Sequence, residues 1–171
     1  MSLTWRRQWS TAAALVRAAA RFNDRRYLSR AQTSAQALAA QCLVPNRANT
    51  AELILVPGAQ GFVHADRVVF NPSYVMPRAM REVAAATGVV ELAQAAGHAE
   101  GLLHRLAEAG PVPDWVQVSE SGMTQAEGFS TAAGYEAMRV PLYLVWSGMN
   151  RHPAVTQMMR VYDRTVQPGM P

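Results

Sequence analysis

The stretch GYEAMRVPLYLVW, Gly134 to Trp146, places a carboxylate, a guanidinium and two phenols ahead of a run of large apolar side chains. Glu136 and Arg139 are three residues apart, which sets them on one face of a helix. Ser130 or Thr131 can cap a helix start, and Glu136 then falls in or near the first turn. There an ionised carboxylate faces both the positive end of the helix dipole and the Arg139 guanidinium. A carboxylate oriented in this way suits a general base better than a general acid. The same pair also fits an ordinary surface ion pair contributing at most ~1 kcal/mol. Pro141 lacks a backbone donor and is expected to kink or restart the helix just after Arg139. Leu142 to Trp146 would then anchor it in the core.

Two more stretches carry groups of chemical interest. In VVFNPSYVMP, Asn71-Pro72-Ser73 is a turn signal that holds Tyr74 at a bend. In PDWVQVSESGM, Trp115 has the shape to stack on a sugar ring or to fill a core gap. The four histidines have no cysteine partners and no HExxH-type spacing, so no metal site is read. No phosphate-binding loop and no GxSxG nucleophile elbow occur, and no cofactor is expected.

The elements that must position these groups follow from periodicity. Six helices are expected: about Thr4–Phe22, about Arg25–Leu43 with Asp24 as its cap, one from Pro77 to Gly88, one closing at Gly110, one holding Glu136, and a last one in PAVTQMMRVYDRTV. Tyr27, Leu28, Ala31, Ala35, Leu38 and Cys42 lie near one face of the second. Gly97 and Gly101, four apart, would let a neighbouring helix approach closely. Residues 51–75 have β-branched and aromatic bursts between Pro and Gly, which reads as a small β-hairpin or ordered loop turning near His64-Ala65-Asp66. PDWVQVSESG contains a short extended piece. Short connections between successive helices imply helical hairpins. The class is all-α with a minor β element, in a single domain spanning 1–171.

Composition fits that class. Half of the 171 residues are hydrophobic and 16% are charged, enough apolar material for one core. No run reaches the ~18 apolar residues needed to span a membrane. All sixteen basic residues are Arg. Residues 1–30 hold seven of them against Asp24 alone, a net +6, and the remainder of the chain is −2. Arg side chains on the wet face of a helix account for this. A basic arm for nucleic acid or an anionic membrane is the competing reading, and aromatic residues are not interleaved with the Arg cluster as single-strand binders need. The N-terminus loosely imitates an export signal. Arg17 and Arg21 interrupt its apolar run, however, and Trp5, Trp9, Ala13, Val16 and Ala20 recur at helical spacing. Cys42 stands alone and is expected in the core.

Four segments together carry a family resemblance. GYEAMRVPLYLVW resembles the GYDAxRVPLYLxW signature of glycoside hydrolase family 8. LVPGAQGFVHADRVVFNPSYVMP resembles its preceding LLPG…GF…NPSYLPP stretch, PDWV is similar to a further family segment, and RFNDRRYLSRAQTSAQALAAQCL resembles the helix pair before these. Endoglucanases that accompany bacterial cellulose synthesis look most similar. The resemblance implies an (α/α)6 barrel that hydrolyses β-1,4-glucan with inversion. It places the general base on Glu136 and assigns Tyr135, Arg139 and Tyr74 to the sugar and the attacking water. Family members are exported, so a periplasmic or secreted place is implied.

Two departures accompany it. Glu136 stands where the family has Asp, one methylene shorter. The family's general acid lies in an SEGQ-like segment that residues 1–50 do not contain. The chain is therefore expected to be the C-terminal part of a catalytic domain, weak or inactive without its acid, and to self-associate or need a missing N-terminal half through apolar faces left bare. A non-catalytic glucan-binding or interaction remnant is the alternative.

Overall fold

The computed structural model describes residues 6–130 and 132–165. Trp5, the side chain of Trp9 and Thr131 lie outside the described residues. Among the described residues six α-helices run as α1 (Arg6–Phe22), α2 (Arg25–Cys42), α3 (Pro77–Thr87), α4 (Val90–Ala109), α5 (Arg139–Trp146) and α6 (Pro153–Thr165). They form three hairpins: α1 packs on α2, α3 on α4 and α5 on α6. Contacts also run from α1 to α3 to α5 and from α2 to α4 to α6, so the helices lie in two layers. One continuous core joins them, with Leu38, Met80, Leu92, Leu103, Leu144 and Met158 fully buried.

The helix boundaries follow from the residues. Asp24 caps α2, its Oδ1 accepting the Arg26 N–H at 2.9 Å, and Ala31, Ala35, Leu38 and Cys42 form the buried face. Burial pushes the Cys42 thiol up to about 11, so it is an inert core residue. Pro77 opens α3, and Gly88 closes it with φ 76°, a left-handed conformation that favours glycine. Gly97 departs from expectation. Apart from the backbone of its own helix, no atom of the described residues lies within 4 Å of where its Cβ would stand, and at Gly101 only the tip of Arg105 approaches. Among the described residues no helix uses the pair for close packing. Gly97→Ala is therefore expected to stabilise the chain by about 1 kcal/mol through helix propensity, checked by denaturant unfolding.

The β structure is larger than expected and paired differently. β1 (Leu43–Asn46) and β2 (Asn49–Leu55) form a two-stranded antiparallel hairpin. β3 (Arg67–Phe70), β4 (Val116–Ser119) and β5 (Gly122–Gln125) form an antiparallel sheet in that order. Residues 51–75 are thus not one hairpin. Pro57-Gly58 follows β2, which pairs backward onto β1, whereas β3 pairs forward onto β4, with Val68 opposite Val118 and Phe70 opposite Val116. The turn after Val63 is real but small: Val63 bridges Val68, and His64 N–H donates to the Arg67 carbonyl at 2.8 Å.

Polar side chains tie the β1–β2 hairpin to α4. Glu52 accepts from Asn46 Nδ2 and Arg105 Nη2, each at 2.8 Å, and His98 Nδ1 accepts the Leu53 N–H at 2.9 Å. Burial raises the pKa of Glu52, but the hydrogen bonds from Asn46 and Arg105 outweigh it and leave the carboxyl below its ordinary value. A carboxyl depressed in the folded state contributes stability that is present above its unfolded pKa. That stability is lost as pH falls through the lower, folded value. Thermal melts of Glu52→Gln and wild type are expected to differ at neutral pH and to converge in acid, below the ordinary Glu range.

Candidate active site

The β3–β4 register builds the site. Because Phe70 faces Val116, the residue after β3, Asn71, and the residues before β4, Asp114 and Trp115, emerge at the same end of the sheet. Asn71 starts a 3-10 turn, Pro72–Tyr74, by accepting the Ser73 N–H on Oδ1 at 2.9 Å. Its side chain is fully buried, which leaves the amide Nδ2 pointing away from that turn with one defined task. Nδ2 donates to Glu136 Oε2 at 2.6 Å, across 65 residues of sequence.

Glu136 sits in a turn just before α5, not within its first turn. Arg139 N–H donates to the Glu136 carbonyl at 3.1 Å and Val140 N–H to Ala137 at 3.0 Å. Met138 is the cap residue, and no side chain caps the helix. Ser130 instead accepts the Ala132 N–H within its own loop. Pro141 is the third residue of α5, where an N–H has no intrahelical partner to lose, so the helix starts before the proline and is not kinked by it.

Asp114 takes the place of the expected cap. This carboxylate is 7% exposed, and its Oδ1 accepts from Gly134 N at 3.2 Å and from Ala137 N at 2.7 Å. Its own N–H donates to the Ala132 carbonyl at 2.8 Å. One buried acid thus fixes the backbone on both sides of Glu136. Gly134 is required by space: a Cβ there would stand 2.6 Å from Asp114 Oδ2.

Arg139 Nη1 approaches Glu136 Oε1 at 3.4 Å, with the two side chains only 22% and 27% exposed, respectively. The pair is therefore not a solvated surface bridge, and each oxygen of the Glu136 carboxylate faces a donor group. The Arg139 guanidinium also lies 5.4 Å from the centre of the Tyr135 ring, a cation–π contact that backs a ring 77% open to solvent. Tyr74 leaves the Asn71 turn half-buried, its ring 6.3 Å from Trp115 and edge-on to it. Trp115 stacks against Phe62 at 6.0 Å and lies 4.4 Å from Phe129. Its ring is thus held in an aromatic cluster beside the site.

The structure brings Glu136, Arg139 and Tyr135 together on one turn and joins that turn to the one carrying Tyr74. Asn71 and Asp114, which do the joining, were not legible as site residues. Asn71 carried a turn signal only, because its partner is distant in sequence. Asp114 carried no signal beyond an acid after two prolines. His98 and His152 hold backbone groups: His152 Nδ1 accepts the Ala154 N–H at 3.1 Å at the start of α6. Among the described residues no group of three His, Cys, Asp or Glu gathers as a metal site, and no helix is long and apolar enough to cross a membrane.

Known proteins share this arrangement of elements. The sequence profile of Glycosyl hydrolases family 8 matches residues 8–169. An endoglucanase of Cellulomonas uda is 29% identical over 137 residues, covering 78% of this chain and 37% of the relative. A family 8 endo-β-1,4-glucanase structure from an Achatina fulica gut metagenomic library superposes with a TM-score of 0.77 at 27% identity, covering 84% of this chain and 46% of that one. The endo-β-1,4-glucanase structure of Acetobacter xylinum gives 0.81 at 25% identity, covering 94% and 51%. The chain therefore spans about half the length of these solved relatives, whose helical barrel it reproduces over that half. A profile match over nearly the whole chain, and a two-layer stack of helical hairpins in which one turn holds GYEA against another holding NPSY, together place this chain in glycosyl hydrolases family 8.

Proposed function

We propose that this chain, acting as one unit of residues 1–171, forms part of a catalytic domain that hydrolyses β-1,4-glucan with inversion. The link to bacterial cellulose synthesis belongs to the same proposal and stands on resemblance alone. The observation that carries the reading is the Glu136 carboxylate, held at one oxygen by Asn71 Nδ2 at 2.6 Å and approached at the other by Arg139 at 3.4 Å. A carboxylate fixed from two sides is an oriented base. In the proposed reaction Glu136 takes a proton from a water that attacks the anomeric carbon on the face opposite the leaving oxygen. The leaving oxygen takes its proton from a general acid, which the family resemblance assigns to a segment outside the stretches matched here. Tyr74 positions the water, and Tyr135 with Arg139 positions the sugar at the cleaved bond. The exposed, cation-backed ring of Tyr135 supports that role.

The extra methylene of Glu136 bears on this geometry. An inverting site separates its two carboxyl groups by roughly 6.5–9.5 Å to admit the water. The tip of the longer side chain is held by Asn71 Nδ2 at 2.6 Å, so it is not free to swing. The experiment is reducing-sugar release from carboxymethylcellulose together with binding of cello-oligosaccharides. Turnover supports the proposal. Binding without turnover supports the non-catalytic glucan-binding alternative, and neither activity removes glucan from the account.

A further inference from the structure

One imidazole both caps α6 and ties it to α4. His152 stands just before Pro153, the first residue of α6. Its Nδ1 accepts the Ala154 N–H at 3.1 Å, and its Nε2 lies 3.1 Å from the Glu100 carbonyl oxygen of α4. A ring nitrogen that accepts a bond carries no proton, so Nε2 holds the single ring proton and donates it to that carbonyl. One neutral tautomer therefore makes both bonds. Ala154 is fully buried, so its N–H depends on this acceptor. The next two amides, of Val155 and Thr156, donate to the His152 carbonyl at 2.9 and 3.3 Å.

We propose that His152 is a pH-sensitive latch, which holds the start of α6 on α4 while neutral and releases it when protonated. Protonation puts an N–H on Nδ1, facing the Ala154 N–H. The acceptor is lost, and a buried donor is left without a partner. The charged groups around the ring do not offset this loss. α6 packs on α4 and on α5. From α4, the His104 ring lies edge-on at 5.7 Å, and Glu108 approaches that second ring at 3.5 Å. The Glu100 carboxylate is held by Arg81 of α3 at 2.8 Å, and Arg105 turns to Glu52 at 2.8 Å. The charged residue of α5, Arg139, faces Glu136. Arg151, next to His152 in the chain, adds a like charge, and Arg160 of α6 lies about two turns on. Burial lowers the His152 pKa and outweighs the bond to the Glu100 carbonyl, which raises it. A His depressed in the folded state contributes stability that is present above its unfolded pKa, about 6.5. That stability is lost as pH falls below this value towards the lower, folded one. α6 packs on α5, which begins three residues after Glu136, so the latch stands one helix away from the candidate base. The inference does not depend on the glucanase reading.

The test is amide hydrogen exchange of the full chain, read as protection factors at about pH 7.5 and about pH 5. The expected result is a fall of about tenfold in the first turns of α6, while α1 and α2 keep their protection. The Glu52 carboxyl, held below the ordinary Glu value, stays charged at both pH values, so its anchor does not contribute. His152→Asn is expected to remove the fall, because the Asn side-chain oxygen accepts the Ala154 N–H at either pH. His104→Gln is expected to keep it. Should His152→Asn fail to fold, the wild-type ring still decides the matter: its nitrogen NMR shifts are expected to show Nδ1 bare and Nε2 protonated at neutral pH. The opposite tautomer would overturn the proposal. So would α6 protection indifferent to pH, an equal fall in α1 and α2, a fall unchanged in folded His152→Asn, or one abolished by His104→Gln.

Discussion

Asp114→Ala is expected to destabilise the chain by about 3 kcal/mol, a fall in melting temperature of roughly 10 °C. The substitution removes the acceptor for two backbone N–H groups, at Gly134 and Ala137, the second of them a buried bond of 2.7 Å. A buried donor left without its acceptor costs about 1–3 kcal/mol, and bonds to a carboxylate lie at the strong end of the range. Gly134→Ala attacks the same clamp from the other side. Its new Cβ meets Asp114 Oδ2 at 2.6 Å, and a carboxylate pinned by two amides cannot move away without breaking them. About 1–3 kcal/mol is expected for that overpacking. The two changes act on one contact, so the double variant should lose less than the sum of the singles. Unfolding curves of wild type, both singles and the double measure this. Additive losses would mean that the clamp is not a unit.

The clamp also explains which parts of the molecule can be read from its sequence. The six helices follow from local information: Asp24 before α2, Pro77 at the start of α3, Gly88 after it, and apolar residues at helical spacing in between. Such signals act within one or two turns and survive without knowledge of the rest. The sheet does not follow from them. β3 pairs with a strand that begins 46 residues after β3 ends, and nothing in the four residues Arg67–Phe70 specifies that partner. For the same reason Asn71 and Asp114 stayed hidden: each works through a partner distant in the chain, brought near only by the β3–β4 register. Glu136, Arg139 and Tyr135 were visible because their spacing is local. The apolar run of α5 shows the opposite failure. A run of large apolar residues announces burial, yet Leu142, Val145 and Trp146 lie exposed and only Val140, Pro141 and Leu144 of this helix reach the core.

Glu136→Gln is expected to lower hydrolysis of carboxymethylcellulose by about 10²–10⁴-fold. The replacement keeps size and shape. The Gln carbonyl oxygen can still accept from Asn71 Nδ2, and the Asp114 clamp, which grips backbone at residues 134 and 137, is untouched. What disappears is the role proposed for Glu136, taking a proton from water, so substrate binding and the melting temperature should change little while turnover falls. Rates of reducing-sugar release by wild type and Glu136→Gln, measured side by side on folded protein, test the central claim most directly. The account predicts that the turnover of the first, weak where the general acid is lacking, is almost wholly lost in the second; measurable and equal rates in both would contradict it.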